Sequence, residues 1–390
     1  MLNELSKVKL ELSIQKKING SYVIGSKINN VFIEVPKEAL AILEYCNGTN
    51  TIFQIEKLLL KDKNMDIDVL DFIQTLYSID LIYSIDGEKC NIGEETKYPS
   101  ILITISKLLF NKYTAFVYGG LFIVNCILIT TNNRLFPRPK DAFFIRDKIG
   151  INMIVFFLIS WMITFIHELG HFLSVVRLNI GVKFNLSLRL IWLVVEADIN
   201  GLWSVPNKNR YFSYFAGVCF ETVIMFISLV LKLANLNSTT NNITSIIILI
   251  LTLNFLWQFM VFLRTDFYLV LLTVFDLSGL HSYSKIYIKN KLTKNKHSNE
   301  LEDLSSAEIK RVKLFCLAYI FGFIFCCIRL VYEIPITINI LYKSALEILS
   351  YDIINILDGV LILAVIIISA LLWLKGAVNK IKSSKLERNV

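Results

Sequence analysis

The sequence predicts a polytopic α-helical membrane protein of about six spans with a small α+β domain over residues 1 to 95. Three observations predict it. The 390 residues have a mean hydropathy of +0.58 and are 55% hydrophobic, gathered in continuous apolar runs long enough to cross a bilayer. The first 95 residues lack such runs and alternate instead between strand and helix periods. Finally, the run Ile151 to Val176 carries His167, Glu168 and His171 at a depth where ionisable groups are costly and therefore functional by default.

In the first domain, VFIEV at Val31 to Val35 reads as a strand, and Pro36 suits the first turn of a helix carrying Leu40 and Leu43. Asn47-Gly48 is expected to end that helix in a turn, and Thr51-Ile52-Phe53-Gln54 is a capping-box pattern opening a second with Ile52, Ile55 and Leu59 on one face. A third helix carries Val69, Phe72, Ile73 and Leu76, and a short strand follows near Leu81 to Ile85. With two strand-like stretches before Val31, this is a three-helix unit with a strand ribbon, a winged-helix-like arrangement. The third helix carries Asp66, Asp68 and Asp71, which repel phosphates, so no nucleic acid partner is expected.

Lys97 to Lys112 reads as an amphipathic entry to the membrane, followed by spans at about 114–131, 151–176, 212–233, 243–263, 312–332 and 356–374. Lysines 285, 289, 291, 294 and 296 follow the fourth span, and Lys375, Lys380, Lys382, Lys385 and Arg388 close the chain. By the positive-inside rule both termini and the loops after spans two and four are cytoplasmic, in a multi-pass protein of the cell membrane. Arg134, Arg138, Lys140, Arg146 and Lys148 run against the rule. The excess of positive charge, +8 net, therefore marks loops facing the cytoplasm. The seven cysteines form no CxxC and sit mostly in apolar runs, and no apolar stretch near the amino terminus reads as a signal peptide.

Residues four apart on a helix share a face, so His167 and His171 can offer two nitrogens to one ion, while Glu168 reaches water beside it. That is the arrangement for zinc-assisted hydrolysis with a glutamate general base. With only four histidines in the chain, two of them at this spacing in an apolar run, a solvated polar face does not explain the pattern, and a di-iron desaturase, which needs about eight, is excluded. Depth separates the two candidates for a third ligand, Asp266 and Asp358, if the count of spans holds. The dyad lies toward the cytoplasmic end of span two, and Asp266 follows the inward-running span four at the same level, whereas Asp358 opens span six on the opposite side and reads as a helix-start residue. His281 and His297 fall in the lysine-rich loop and read as solvated. Between spans two and three, β-branched runs broken by turn residues suit a hairpin dipping toward the site, whose edge would hold an extended substrate.

HELGH in a span, two further spans and then an aspartate resemble the site-2-protease-like zinc metallopeptidases of family M50, and within them the peptide zinc metalloproteases of the YydH type. The similarity covers residues 155 to 285 and includes Asp198, Trp203, Arg210, Ala216-Gly217 and LRTDFYLVL around Asp266. It implies Zn²⁺ held by His167, His171 and Asp266, with Glu168 as general base. Three places depart from the family: Asp266-Phe267 replaces its Asp-Gly, Met260-Val261 its Asn-Pro, and Ala216-Gly217-Val218 its Ala-Gly-Pro. The first domain resembles PqqD-like peptide-recognition domains, which implies capture of a precursor-peptide leader as an added strand. Together the resemblances imply a membrane-embedded zinc metalloprotease (residues 96 to 390) acting on a ribosomally made precursor peptide. Its partners would be that peptide, the lipid bilayer, and peptide-modifying enzymes or an exporter. The alternative is a non-proteolytic peptide-binding adaptor, immunity or export protein with an idle or structural metal site.

Overall fold

Fully buried aliphatic side chains from two short helices close the core of the N-terminal unit: Ile52, Ile55, Leu59, Val69, Ile73 and Leu76. The structure, a computed structural model, describes residues 2–17, 21–90, 97–138, 140, 148–189, 192–277, 279–293, 301 and 304–386. Arg146, Lys294, Lys296, His297 and Arg388, named above, lie outside them.

The N-terminal unit runs β1 (Lys7–Lys9), β2 (Ser13–Lys16), β3 (Tyr22–Ser26), β4 (Val31–Val35), α1 (Lys37–Tyr45), β5 (Asn47–Thr51), α2 (Ile52–Lys63), α3 (Val69–Ser78), β6 (Ser84–Ile85) and β7 (Glu88–Lys89). Its strands form two small sheets, β2-β3-β4 and β5-β1-β6-β7. The capping box at α2 is present: Gln54 N donates to Thr51 Oγ1 (3.2 Å) and Thr51 N to Gln54 Oε1 (2.9 Å). Asp68 caps α3 by accepting from Asp71 N (2.9 Å). The turn expected at Asn47-Gly48 is instead the start of β5. Gly48, at φ +87°, lets the chain double back so that β5 pairs with β1. Cys46 joins the core, and burial pushes its thiol up to about 12.

Six helices are long and apolar enough to cross a membrane: α5 (Lys112–Thr131), α6 (Ile149–Val176), α7 (Asn207–Ala234), α8 (Ser238–Gln258), α11 (Ser306–Ile348) and α12 (Ile353–Leu386). Large apolar side chains on them, among them Phe116, Phe165 and Phe321, stay uncovered, a surface suited to lipid. The short apolar helix α4 (Ser100–Leu109) precedes them and leaves Ile101, Ile105 and Leu108 exposed, as expected of a membrane entry. Each expected span falls inside one helix except the fourth. It was expected to reach residue 263, but α8 stops at Gln258 and the chain restarts as α9 (Asp266–Phe275), followed by α10 (Leu280–Thr293). His281, expected to be solvated, is buried on α10: its backbone N donates to Tyr268 Oη (3.2 Å) and its ring lies edge-on to Tyr319. An apolar wall, built by α9 and α11, covers that face of α10, and His281 borders the cavity that opens on His167 and His171.

The helix ends sort onto two sides. On one, Arg134 after α5 bonds to Asn235 at the end of α7. On that side too, Lys148 before α6 donates to Asn355 at the start of α12, and Asp358 accepts from Ile151 N (2.9 Å). Asp358 therefore satisfies a free amide in the first turn of α6, a helix-start role at a neighbour rather than at its own helix. On the other side lie the HELGH end of α6, a hairpin of β8 (Lys183–Arg189) and β9 (Trp192–Asp198), and the N-terminal unit. Gln15 of β2 donates to Ser204 O (3.0 Å) in the 3-10 turn Asn200–Ser204, which docks the N-terminal sheet against the segment after the hairpin.

The N-terminal core makes a paired prediction. Leu59→Ala, fully buried, should destabilise the unit by about 2–5 kcal/mol, whereas Leu60→Ala, 54% exposed, should cost less than about 0.5 kcal/mol. Alkylation of Cys46 followed by mass spectrometry reads the opening, and should accelerate at least tenfold in the first variant only.

Candidate metal centre

Two helices must approach closely before the histidines can meet anything beyond their own helix. At Gly170 of α6 a Cβ would collide with the backbone of Ala216, and at Gly217 of α7 it would collide with the ring of His167. Glycine at both places brings α6 and α7 together with the His167 ring resting on the α7 backbone.

His167, Glu168 and His171 are buried at the end of α6. His167 Nε2 and His171 Nε2 are 3.1 Å apart, and Asp266 Oδ2 lies 3.0 Å from the first and 3.2 Å from the second. The structure thus brings together the four residues expected from the sequence, and leaves Asp358 among the helix ends of the opposite side. Asp266 reaches the dyad because α8 ends early. Arg264 turns the chain at φ +58°, Gln258 Oε1 accepts from Asp266 N (3.2 Å), and Thr265 Oγ1 donates to Gln258 O (2.7 Å). Gln258 braces the restart of the helix, and the break forms although the Asn-Pro and Asp-Gly pairs of the resembled family are absent.

The outer nitrogens of the two imidazoles are anchored differently. His171 Nδ1 lies 2.9 Å from Ser213 O, a pure acceptor, so it carries the proton and donates. His167 Nδ1 lies 3.2 Å from Oε1 of Glu221, on α7. His171 Nε2 therefore turns its lone pair toward the Asp266 oxygen, and His167 Nε2 does the same in the tautomer that carries its proton at Nδ1. In that tautomer three acceptors stand 3.0–3.2 Å from one another and repel unless a cation lies among them. A triangle of this size matches one face of a tetrahedron of N and O ligands at ~2.0–2.1 Å from zinc, so the donor set fits that ion. Glu168 has a carboxylate oxygen within 4.8 Å of ligand atoms of both histidines, and its Oε2 accepts from Ala197 N of β9 (2.7 Å).

A cavity of about 1390 Å³ opens on this cluster. Its walls include Trp161 and Thr164 of α6, Asn254 of α8, Leu193 to Asp198 of β9, and Phe32 to Glu34 of β4. Ala197 donates away from β8 to Glu168, so Leu193 and Val195, of the same parity, also turn their backbone groups away from β8. Beside the cavity, Arg210 stacks on Trp203 (4.6 Å) and donates to Val205 O (2.8 Å), bracing the turn that follows β9. Asp198 accepts from Asn200 N in that turn (3.1 Å), and burial pushes its carboxyl above the ordinary range. Both residues hold the hairpin's exit and neither touches the dyad.

Glu221 was not singled out in the sequence. The signal was present, since Cys219-Phe220-Glu221-Thr222-Val223 places a carboxylate inside an apolar span. No family model, no curated protein and no solved structure matches the chain.

Gly217→Ala should lower the thermal unfolding temperature in detergent by several degrees, because the ring of His167 must move. Gly119→Ala, where a Cβ meets nothing, should not lower it.

Proposed function

We propose that this chain is a membrane-embedded zinc metalloendopeptidase that cleaves a small peptide presented in extended form. The observation that carries the reading is the convergence of His167 Nε2, His171 Nε2 and Asp266 Oδ2 within 3.0–3.2 Å, with the neighbouring Glu168 facing the same cavity. His167, His171 and Asp266 would hold the ion. Zinc at such a site supplies Lewis acidity and lowers the pKa of water toward ~7.

The chain's own residues do the rest. Glu168 takes a proton from the attacking water as the new C–O bond forms, and returns it to the departing amine nitrogen as the C–N bond breaks. The N–H of Ala197 fixes Glu168 Oε2, leaving Oε1 to face the reacting water. The outward edge of β9 offers backbone donors and acceptors next to Glu168, which favours a substrate already unwound into a strand. β4 lines the same cavity, so the N-terminal unit would present its captured segment directly to the site. The resemblance to leader-binding domains makes a ribosomal precursor peptide the proposed substrate and the cytoplasm the proposed side of that unit.

Purified protein should hold about one zinc per chain, lost in the His167→Ala/His171→Ala double variant. Glu168→Gln should keep the metal and stop cleavage of precursor peptides encoded beside the protein. Zinc without cleavage by the wild type would favour the adaptor reading, and zinc retained by the double variant would remove the metal assignment. Asp266→Ala should weaken zinc binding and abolish cleavage, while Asp358→Ala leaves metal content unchanged. Phe32→Glu on β4 should raise KM for the full precursor several-fold with zinc content unaltered.

A further inference from the structure

We propose that Glu221 is a positioning residue that orients His167 and strengthens its hold on the metal, an inference that rests on the zinc reading above. Glu221 is only 5% exposed in the middle of α7, where an unpaired carboxylate costs several kcal/mol. Among the described residues two side chains answer it. His167 Nδ1 approaches its Oε1 to 3.2 Å without being aligned for a hydrogen bond, and Asn254 Nδ2 on α8 donates to the same oxygen at 3.0 Å. Neither is a fixed positive charge. A cation held at the other nitrogen of His167 would therefore act on Glu221 through the imidazole ring.

The coupling runs both ways. A carboxylate at Nδ1 makes Nε2 a better electron donor, and a cation at Nε2 makes Nδ1–H a stronger donor toward the carboxylate. His171 lacks this, because its Nδ1 faces the neutral carbonyl of Ser213. The two imidazoles are thus unequal: His171 is placed by backbone, while His167 is placed by a buried carboxyl group that Asn254 aims from a third helix. Glu168, the proposed general base, is not part of this chain of contacts, so metal affinity and proton transfer are set by different carboxylates.

The rival explanation is that Glu221 and Asn254 only join α7 to α8. The full-length protein in detergent separates the two, with zinc affinity measured by chelator competition and thermal unfolding measured on the zinc-free forms. Glu221→Ala should weaken zinc binding about 10–100-fold. Glu221→Gln, which keeps an acceptor opposite Nδ1 without the charge, should recover part of the loss and stay about three- to tenfold weaker than wild type. Asn254→Ala should weaken binding less than Glu221→Ala, and the double variant should bind as Glu221→Ala does, because both act through one contact. Equal zinc affinity in wild type and Glu221→Ala, with only zinc-free stability lowered, would overturn the assignment. If Glu221→Ala does not fold, Glu221→Gln decides, and wild-type affinity there overturns it. A wild type without zinc removes the metal reading itself, whereas zinc held equally by both proteins removes only the role of Glu221.

Discussion

The approach of α6 to α7 at Gly170 and Gly217 is the constraint on which the rest depends. Ionisable side chains inside an apolar bundle are costly unless polar partners lie close to them, and partners come closest where backbones lack side chains between them. With α7 in contact, His171 gains the Ser213 carbonyl and His167 gains Glu221. Separated by one methyl group at Gly217, His167 would lose its place beside Asp266. A bundle of interchangeable apolar helices is thereby given one register.

Much of this arrangement was legible in the sequence, for physical reasons that differ by element. Spans are legible because bilayer thickness sets their length, and five of the six expected segments fall inside the observed helices. The dyad and Glu168 are legible because a helix fixes what i and i+4 share. Asp266 was placed at the correct level by counting crossings, which needs no knowledge of side-chain contacts. The break before it was not legible. It forms through Arg264 in the left-handed region and through the amide of Gln258, both tertiary in origin and neither a strong helix breaker. His281 misled because lysine-rich composition signals solvent, whereas α9 and α11 cover that one face of α10. The strand at Asn47–Thr51 was missed because turn residues there also suit a short strand entered through a positive-φ glycine.

The opposite end of the bundle is fastened by its own polar contacts. Asp358 on the amide of Ile151, Lys148 on Asn355 and Arg134 near Asn235 tie together the starts and ends of α5, α6, α7 and α12. These groups explain a second intramembrane aspartate without a second chemical site. They also account for part of the basic loop that ran against the positive-inside rule, since Arg134 and Lys148 are engaged in fastening helices.

The contact of Gln15 with Ser204 has a consequence for how such a chain can vary. From Ser204 the backbone returns through the turn at Asn200 to Asp198 and Ala197, and Ala197 holds Glu168. The N-terminal unit is thus part of the cavity's wall, not cargo on a tether. Grafting a foreign unit of the same fold would leave the chamber short of one side unless the seam at Asn200–Ser204 were transplanted with it. The N-terminal unit and the cluster at the end of α6 are in this sense inherited together, and the exchangeable unit of this architecture is larger than either domain.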